Sequence, residues 1–153
     1  MGDSWASSLA ARKTMLGNRG RDTKPGLAVR HLVHAQGLRY RVNARPEIGI
    51  RRTADLLFTR MRVVVFIDGC FWHKCPTHFS MPVTNQEFWR EKIDGNEQRD
   101  RQTTTLLEDR GWLVLRFWEH EDPVSVADRI VREIRDRPHR YAQTALRPGV
   151  ANQ

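Results

Sequence analysis

Several features that restrict a protein's class or location are scarce in this chain of 153 residues. It has two cysteines, too few for the disulfide framework of a small secreted domain. No apolar run approaches the roughly 20 residues that span a bilayer, and the N-terminus has no apolar signal core. Internal repeats and low-complexity segments are absent as well. We therefore expect a cytoplasmic protein with one folded domain, since domains commonly run to about 100–150 residues.

Acidic residues are also few relative to basic ones. The chain has 26 Lys and Arg against 18 Asp and Glu, a formal net charge of +8. Such a balance favours polyanionic partners, nucleic acid first, although it is also compatible with charge that serves only solubility. We interpret residues 1–23 as a flexible basic arm whose cations could lie along a phosphate backbone; a merely disordered terminus is the alternative. The cations are Arg12, Lys13, Arg19 and Arg21.

The spacing of apolar residues predicts an α/β domain around a mixed sheet over residues 24–138, followed by a loose tail over 139–153. In the first helix Ala28, Leu32 and Ala35 recur on one face. The continuous apolar run before Asp68 indicates a buried central strand. The predicted elements are a helix over 24–36, strands over 38–42, 55–58 and 63–67, a helix over 85–109 broken or distorted near Gly95, a strand over 112–118 and a helix over 124–136.

The segment 69–79, GCFWHKCPTHF, holds both cysteines and two of the six histidines. Cys70, Cys75 and His78 have the donor types and the C-x4-C-x2-H spacing of a tetrahedral zinc site. His120, which follows a predicted strand, could return in space as the fourth ligand. The alternative is that the cysteines are small buried apolar residues and the histidines are incidental.

Two carboxylates and a histidine are the candidates for chemistry. Asp55 opens one predicted strand and Asp68 closes the next, so both could project from one end of the sheet and bind Mg²⁺. Asp68 could equally serve as a turn or capping residue. His73 lies between the zinc candidates and could take a proton from an attacking water, although a spare histidine in a metal loop is more often at the surface.

Phe71 and Trp72 are adjacent aromatic residues in the same loop. In a loop held by a metal both could project outward, and a basic protein could wedge them between base steps. The alternative is that Trp72 covers the metal site and Phe71 fills the core.

Taken together, these residues resemble the very short patch repair endonucleases, the bacterial Vsr-type mismatch nickases. The resemblance runs from about Met15 to Asp122, and its specific landmarks are GCFWH at 69–73, FWREKI at 88–93 and RD at 99–100. It implies a restriction-endonuclease-like fold of the PD-(D/E)xK superfamily with a structural zinc site. The implied activity is a nick on the 5′ side of a thymine mispaired with guanine, the lesion left when 5-methylcytosine deaminates. The implied partner is double-stranded DNA, bound by a nucleoid-associated monomer that could also meet mismatch-repair proteins.

The resemblance also implies roles for individual residues. Asp55 would be the central Mg²⁺ ligand, aided by the backbone carbonyl of Ile67. His73 would be the general base and Asp100 its supporting carboxylate, with Asp68 compatible with activity. Cys70, Cys75, His78 and His120 would bind zinc. Phe71, Trp72 and Trp89 would intercalate between bases, and an arm containing Met15 would approach the duplex from the groove opposite to these aromatic residues.

One departure from the family pattern concerns the first helix. The family has RDTxPE or a close variant there, and its glutamate joins the water network around the metals, whereas this chain has Gly26. Glycine cannot hold a metal-bound water, so catalysis is expected to be weaker unless Asp22 or Asp68 takes over. The alternatives are a mismatch-binding protein that has lost cutting, or a related nuclease of another DNA specificity.

Overall fold

Residues 23–137 are described by a computed structural model and form a sheet covered by helices on both faces. The order of elements, a helix, three strands, a helix, a strand and a helix, is the predicted one, and the mixed α/β class is confirmed. Within residues 23–137 no helix is long and apolar enough to cross a bilayer. The elements are α1 (Lys24–Ala35), β1 (Arg41–Ala44), β2 (Ala54–Phe58), β3 (Val63–Asp68), α2 (Gln86–Asp109), β4 (Leu113–Trp118) and α3 (Pro123–Asp136).

The four strands lie in the order β1-β2-β3-β4. β2 is antiparallel to both β1 and β3, whereas β4 is parallel to β3 and is reached through the crossover helix α2. Because β2 and β3 run in opposite directions, Asp55 near the start of β2 and Asp68 at the end of β3 lie at the same end of the sheet. The parallel strand β4 also ends there, at Trp118. This end carries the candidate site.

Helices cover the sheet on both faces, so the central strand is fully buried. Val63, Val64 and Val65 of β3 are all 0% exposed, as the unbroken apolar run predicts. One face packs against α1 and α3, and the other packs against α2 and the segment before β2. α3 has the clearest amphipathic pattern, and its buried residues are Val126, Ala127, Ile130, Val131 and Ile134.

Three predictions of local structure were wrong. The buried residues of α1 include Val29 and Val33 and not the predicted Ala28 and Ala35, because the sheet contacts a face turned by about one residue. The strand predicted over 38–42 begins only at Arg41 and continues to Ala44.

The predicted break in the long helix is also wrong. α2 runs without interruption through Gly95, since a single glycine costs a helix only about 1 kcal/mol and tertiary packing outweighs that cost. Trp89, Ile93 and Leu107 are the buried residues that anchor this helix to the rest of the fold.

Candidate active site and metal centre

Four sulfur and nitrogen donors converge beyond the end of the sheet, from Cys70, Cys75, His78 and His120. The Cys70 Sγ to His120 Nδ1 distance is 3.2 Å, Cys75 Sγ to His120 Nδ1 is 3.7 Å, and Cys75 Sγ to His78 Nδ1 is 3.8 Å. In a tetrahedral zinc centre, bond lengths of about 2.3 Å to sulfur and about 2.0 Å to nitrogen separate the two donor types by about 3.5 Å. The spacing and chemistry of this set can therefore hold one tetrahedral metal ion.

Backbone hydrogen bonds hold these donors in place. The Cys75 N–H donates to the Cys70 carbonyl at 3.0 Å, and the Phe79 N–H donates to the Cys75 carbonyl at 3.1 Å. Glu119, just after β4, accepts from the Cys70 N–H through Oε1 at 3.1 Å. Its own N–H donates to the Asp68 carbonyl at 2.9 Å. The loop is thus fastened to the ends of both β3 and β4, which brings distant His120 to the cysteines.

The two thiols have opposite electrostatic environments. Burial, together with the adjacent Cys75 sulfur, raises the pKa of Cys70 to about 12. Burial also acts to raise the pKa of Cys75, but hydrogen bonds from the backbone N–H groups of Thr77 and His78 outweigh it and lower that pKa to about 7. One thiolate therefore forms readily and disfavours the second. A bound cation removes this conflict, because it stabilises both thiolates.

Asp55 is a carboxylate in a largely desolvated position. Its Oδ2 accepts a hydrogen bond from the Ile67 N–H at 2.7 Å. Burial raises the pKa of Asp55 to about 6, the charge of Asp68 adds to the rise, and the Ile67 hydrogen bond and the charges of Arg30 and His73 oppose it. Such a carboxylate gains free energy from a nearby divalent cation. The participation of the Ile67 carbonyl remains a prediction.

His73 is held by a carboxylate. Its Nδ1 lies in a short hydrogen bond with Asp100 Oδ2, and Asp68 Oδ1 lies 3.9 Å from the same nitrogen. Burial acts to raise the pKa of Asp100, but the His73 hydrogen bond and the positive charges around it hold that pKa below its usual range. An ionised Asp100 accepts the Nδ1 proton, which leaves the lone pair of neutral His73 on Nε2. That is the tautomer a general base requires.

Two arginines bind the outer sides of these carboxylates. Arg52 Nη2 lies 3.1 Å from Asp100 Oδ1. Arg116 Nη1 lies 3.1 Å from each carboxylate oxygen of Asp68. The structure thus brings Asp68, His73 and Asp100 into one cluster with Asp55 beside it.

Comparison with known proteins adds to this geometry. Residues 7–78 match the model of the family described as DNA mismatch endonuclease Vsr. The type II nicking enzyme V.NaeI of Lentzea aerocolonigenes is 38% identical over 135 residues, which cover 87% of this chain and 81% of that protein. This chain belongs to the Vsr family of DNA mismatch endonucleases. The DNA mismatch endonuclease Vsr of Escherichia coli strain K12 is 37% identical over 108 residues, covering 70% of this chain and 67% of that protein.

In this Vsr-family chain the aromatic residues form one cluster beside the candidate site. The ring centroids of Phe71 and Trp72 are 5.2 Å apart, and those of Phe71 and Trp89 are 5.5 Å apart. Phe71 and Trp72 are partly exposed, whereas Trp89 is only 1% exposed. Trp89 therefore supports the other two rings from beneath, and it would reach a base only if they moved.

Several residues of the cluster's surroundings were not found by sequence reasoning. Arg116 gave a usable signal, a single charge within the apolar strand sequence LVLRFW. Arg52 gave none, because an arginine in a basic loop is unremarkable. Asn96, whose Nδ2 donates to the Trp72 carbonyl at 3.2 Å, was not assigned a role from the sequence. The predicted DNA-contacting residues Met15, Arg12, Lys13, Arg19 and Arg21, and the possible substitute Asp22, lie outside the described residues.

Gly26 occupies the third residue of α1. Thr23 caps the helix, and its Oγ1 accepts from the Gly26 N–H at 3.3 Å. A Cβ atom added to Gly26 would lie 3.1 Å from that same Oγ1, so a larger residue requires Thr23 to shift by a few tenths of an ångström. The start of α1 shares a pocket with the segment around His120. Gly26 itself does not line this pocket, but its neighbour Pro25 does.

Proposed function

We propose that this protein is a Mg²⁺-dependent endonuclease that nicks one DNA strand on the 5′ side of the thymine in a T:G mismatch. Membership of the Vsr family supports cutting of DNA, and the name of the Escherichia coli relative supports mismatch recognition. The observation that carries the proposal is the hydrogen bond between His73 and Asp100 at the end of the sheet that also bears Asp55. Repair of deaminated 5-methylcytosine is the corresponding biological role.

The residues of this chain divide the reaction among them. Asp100 accepts the Nδ1 proton of His73 and fixes the imidazole, and His73 Nε2 takes a proton from the water that attacks phosphorus. Asp55, with the Ile67 carbonyl, would hold Mg²⁺. When bound, that ion supplies Lewis-acid stabilisation of the charge that develops on the phosphate and the leaving 3′ oxygen. Asp68 is held by Arg116 beside this site.

The metal centre and the aromatic cluster have supporting roles in this proposal. Zn²⁺ bound by Cys70, Cys75, His78 and His120 would hold the loop that carries His73, and would take no part in the chemistry. Phe71 and Trp72, on the same loop, would enter the duplex at the mismatch. The protein would act as a monomer on double-stranded DNA.

A strand-specific nicking assay tests the proposal. The purified protein is incubated with Mg²⁺ and a duplex that carries one T:G pair and a different label on each strand. We expect one product, from the T strand, and far less product from the fully paired duplex. Asp55→Ala should abolish the product while zinc content and folding are retained. Undiminished nicking by that variant would disprove the assigned role of Asp55.

Gly26 supports a second candidate, a mismatch-binding protein with weakened or lost catalysis. Gly26 is buried, and it lacks the carboxylate side chain that would hold a water near the bound metal ions. Tight binding of the T:G duplex without a product, together with cutting by Gly26→Glu, would establish this candidate. Equal nicking of mismatched and fully paired DNA would instead indicate a related nuclease of another specificity.

A further inference from the structure

Arg116 is a charged residue inside an otherwise apolar strand. It lies in β4, its side chain is 24% exposed, and its guanidinium carbon lies 4.3 Å from the ring centroid of Phe66. Placing a guanidinium in such a position is unfavourable unless its N–H groups have partners. The contacts that satisfy it therefore indicate what the charge does.

The guanidinium joins the end of β3 to the middle of α2. Nη1 donates to both carboxylate oxygens of Asp68 at 3.1 Å. Nε donates to Thr104 Oγ1 at 2.9 Å, and Nη2 donates to the backbone carbonyl of Asp100 at 3.3 Å. Because the guanidinium is planar and rigid, these bonds fix Asp68 and Asp100 relative to each other.

The same two acidic residues face one nitrogen of His73. Asp100 accepts the Nδ1 hydrogen bond, and Asp68 Oδ1 is only 3.9 Å from Nδ1. One N–H can serve one of these acceptors well, so the two carboxylates compete for it. Arg116 occupies both oxygens of Asp68, which leaves Asp100 as the partner of His73. The orientation of the imidazole, and hence the direction of Nε2, follows from that choice.

We propose that Arg116 is a positioning residue for His73, which it orients by holding Asp68 away from Nδ1 and by anchoring Asp100. The proposal rests on the proposed function, in which His73 Nε2 receives the proton of the attacking water. Without Arg116 the Nδ1–H group of His73 would alternate between the carboxylates of Asp100 and Asp68. A base displaced by about 1 Å loses roughly a hundredfold in rate.

Two substitutions and a matched control test this role. Arg116→Leu removes every contact, while Arg116→Lys keeps a cation for Asp68 but cannot reach Thr104 and Asp100 at the same time. Arg129→Leu is the control, because Arg129 stacks on the neighbouring strand residue Phe117, at 5.5 Å, on the opposite face of the sheet. Metal content and thermal unfolding establish that each variant is folded.

Two measurements distinguish positioning from a structural role. In single-turnover nicking of the T:G duplex, we expect Arg116→Leu to lower the maximal rate about 10- to 100-fold with the dissociation constant for DNA changed less than about twofold. Arg116→Lys should fall between this variant and the wild type. In long-range ¹H–¹⁵N spectra, His73 should show one Nδ1–H tautomer in the wild type and a shifted or broadened Nδ1 signal in Arg116→Leu. Arg129→Leu should match the wild type in both.

An unchanged rate, or a lower rate with unchanged His73 signals, would overturn the proposal. If Arg116→Leu does not fold, Arg116→Lys decides by the same two criteria. The spectra can be recorded whether or not the protein cuts DNA. They therefore test the role of Arg116 independently of the proposed nicking activity. If the wild-type protein binds DNA without cutting, the nickase proposal fails, and the dependence of the His73 signals on Arg116 still decides whether Arg116 orients the ring.

Discussion

Replacing Asp55 by Asn should remove nicking and at the same time stabilise the magnesium-free protein. The amide has nearly the shape of the carboxylate, and its oxygen can still accept the Ile67 N–H. What the substitution removes is the negative charge. If Asp55 is a metal ligand, its charge is favourable only when the cation is present and is unfavourable without it.

The magnitude follows from the pKa of Asp55, which burial raises from 3.8 to about 6. One unit of pKa corresponds to about 1.4 kcal/mol, so ionising Asp55 costs the folded state up to about 3 kcal/mol. Between pH 4 and pH 6 the folded protein binds more protons than the unfolded chain. The free energy of unfolding therefore falls as the pH rises through this window, and the loss is complete above pH 6. Partial exposure of the side chain reduces the expected gain for Asp55→Asn at pH 8 to about 1–3 kcal/mol.

Urea unfolding at pH 4.5 and pH 8 measures the effect for both proteins. Magnesium is left out of the buffer without adding a chelator, because a chelator would also empty the Cys and His centre. At each pH the variant is compared with the wild type, so that the pH dependence of metal binding by that centre cancels. Asp128→Asn is the matched control, since Asp128 is exposed on α3, and its substitution should change stability by less than about 0.5 kcal/mol.

Addition of Mg²⁺ completes the experiment. At a hundred times its dissociation constant, a ligand stabilises the folded state by about 2.7 kcal/mol. We expect such a gain for the wild type at pH 8 and none for Asp55→Asn. If Asp55→Asn is no more stable than the wild type at pH 8 without magnesium, the reasoning is refuted. The ionised carboxylate of Asp55 would then not be an unfavourable charge that a bound cation stabilises.

Three further predictions concern the loop and the first helix. Cys75→Ser should lower the zinc content from one atom per chain, measured by mass spectrometry, and lower the melting temperature with it. Trp72→Ala should weaken binding of the T:G duplex by the roughly 1–3 kcal/mol of one stacked base. It should lower the melting temperature less than Trp89→Ala, which removes a buried ring and should destabilise the fold by about 3–5 kcal/mol. Gly26→Glu should raise the rate of nicking, because it restores a carboxylate at the start of α1, whereas Gly26→Gln, which crowds Thr23 Oγ1 in the same way but carries no charge, should leave the rate unchanged.

The order of elements was predictable because each signal was local. An apolar run as long as Val63–Ile67, in which four residues are β-branched, has few alternatives to a buried strand, and the spacing of apolar residues in α3 leaves one face for the core. Boundaries and the buried face of α1 were less predictable, since they depend on which side of the helix the sheet contacts. The continuity of α2 through Gly95 also depends on tertiary contacts, because packing of Trp89 and Leu107 overrides the low helix preference of glycine.

The candidate site shows a similar division between local and long-range information. Cys70, Cys75 and His78 lie within nine residues, so their donor types and spacing already indicated a metal. The return of His120 to the same point was inferred from its place after a strand, and it depends on the parallel pairing of β3 with β4. That pairing is a property of the whole chain.

Arg116 marks the limit of what could be inferred from the pattern of residues. One charge in an apolar strand can be recognised as unusual, but its purpose depends on Asp68 and Asp100, which are 48 and 16 residues away and whose carboxylates both lie near His73 Nδ1. Those carboxylates come together only because β3 ends beside β4 and α2 crosses behind them. As the proposed general base, His73 needs one defined acceptor for its Nδ1 proton, and two acidic residues lie within reach of that nitrogen. In the positioning role proposed for Arg116, an arginine from a third element resolves that ambiguity, and such a role could not be deduced from the loop of His73 alone.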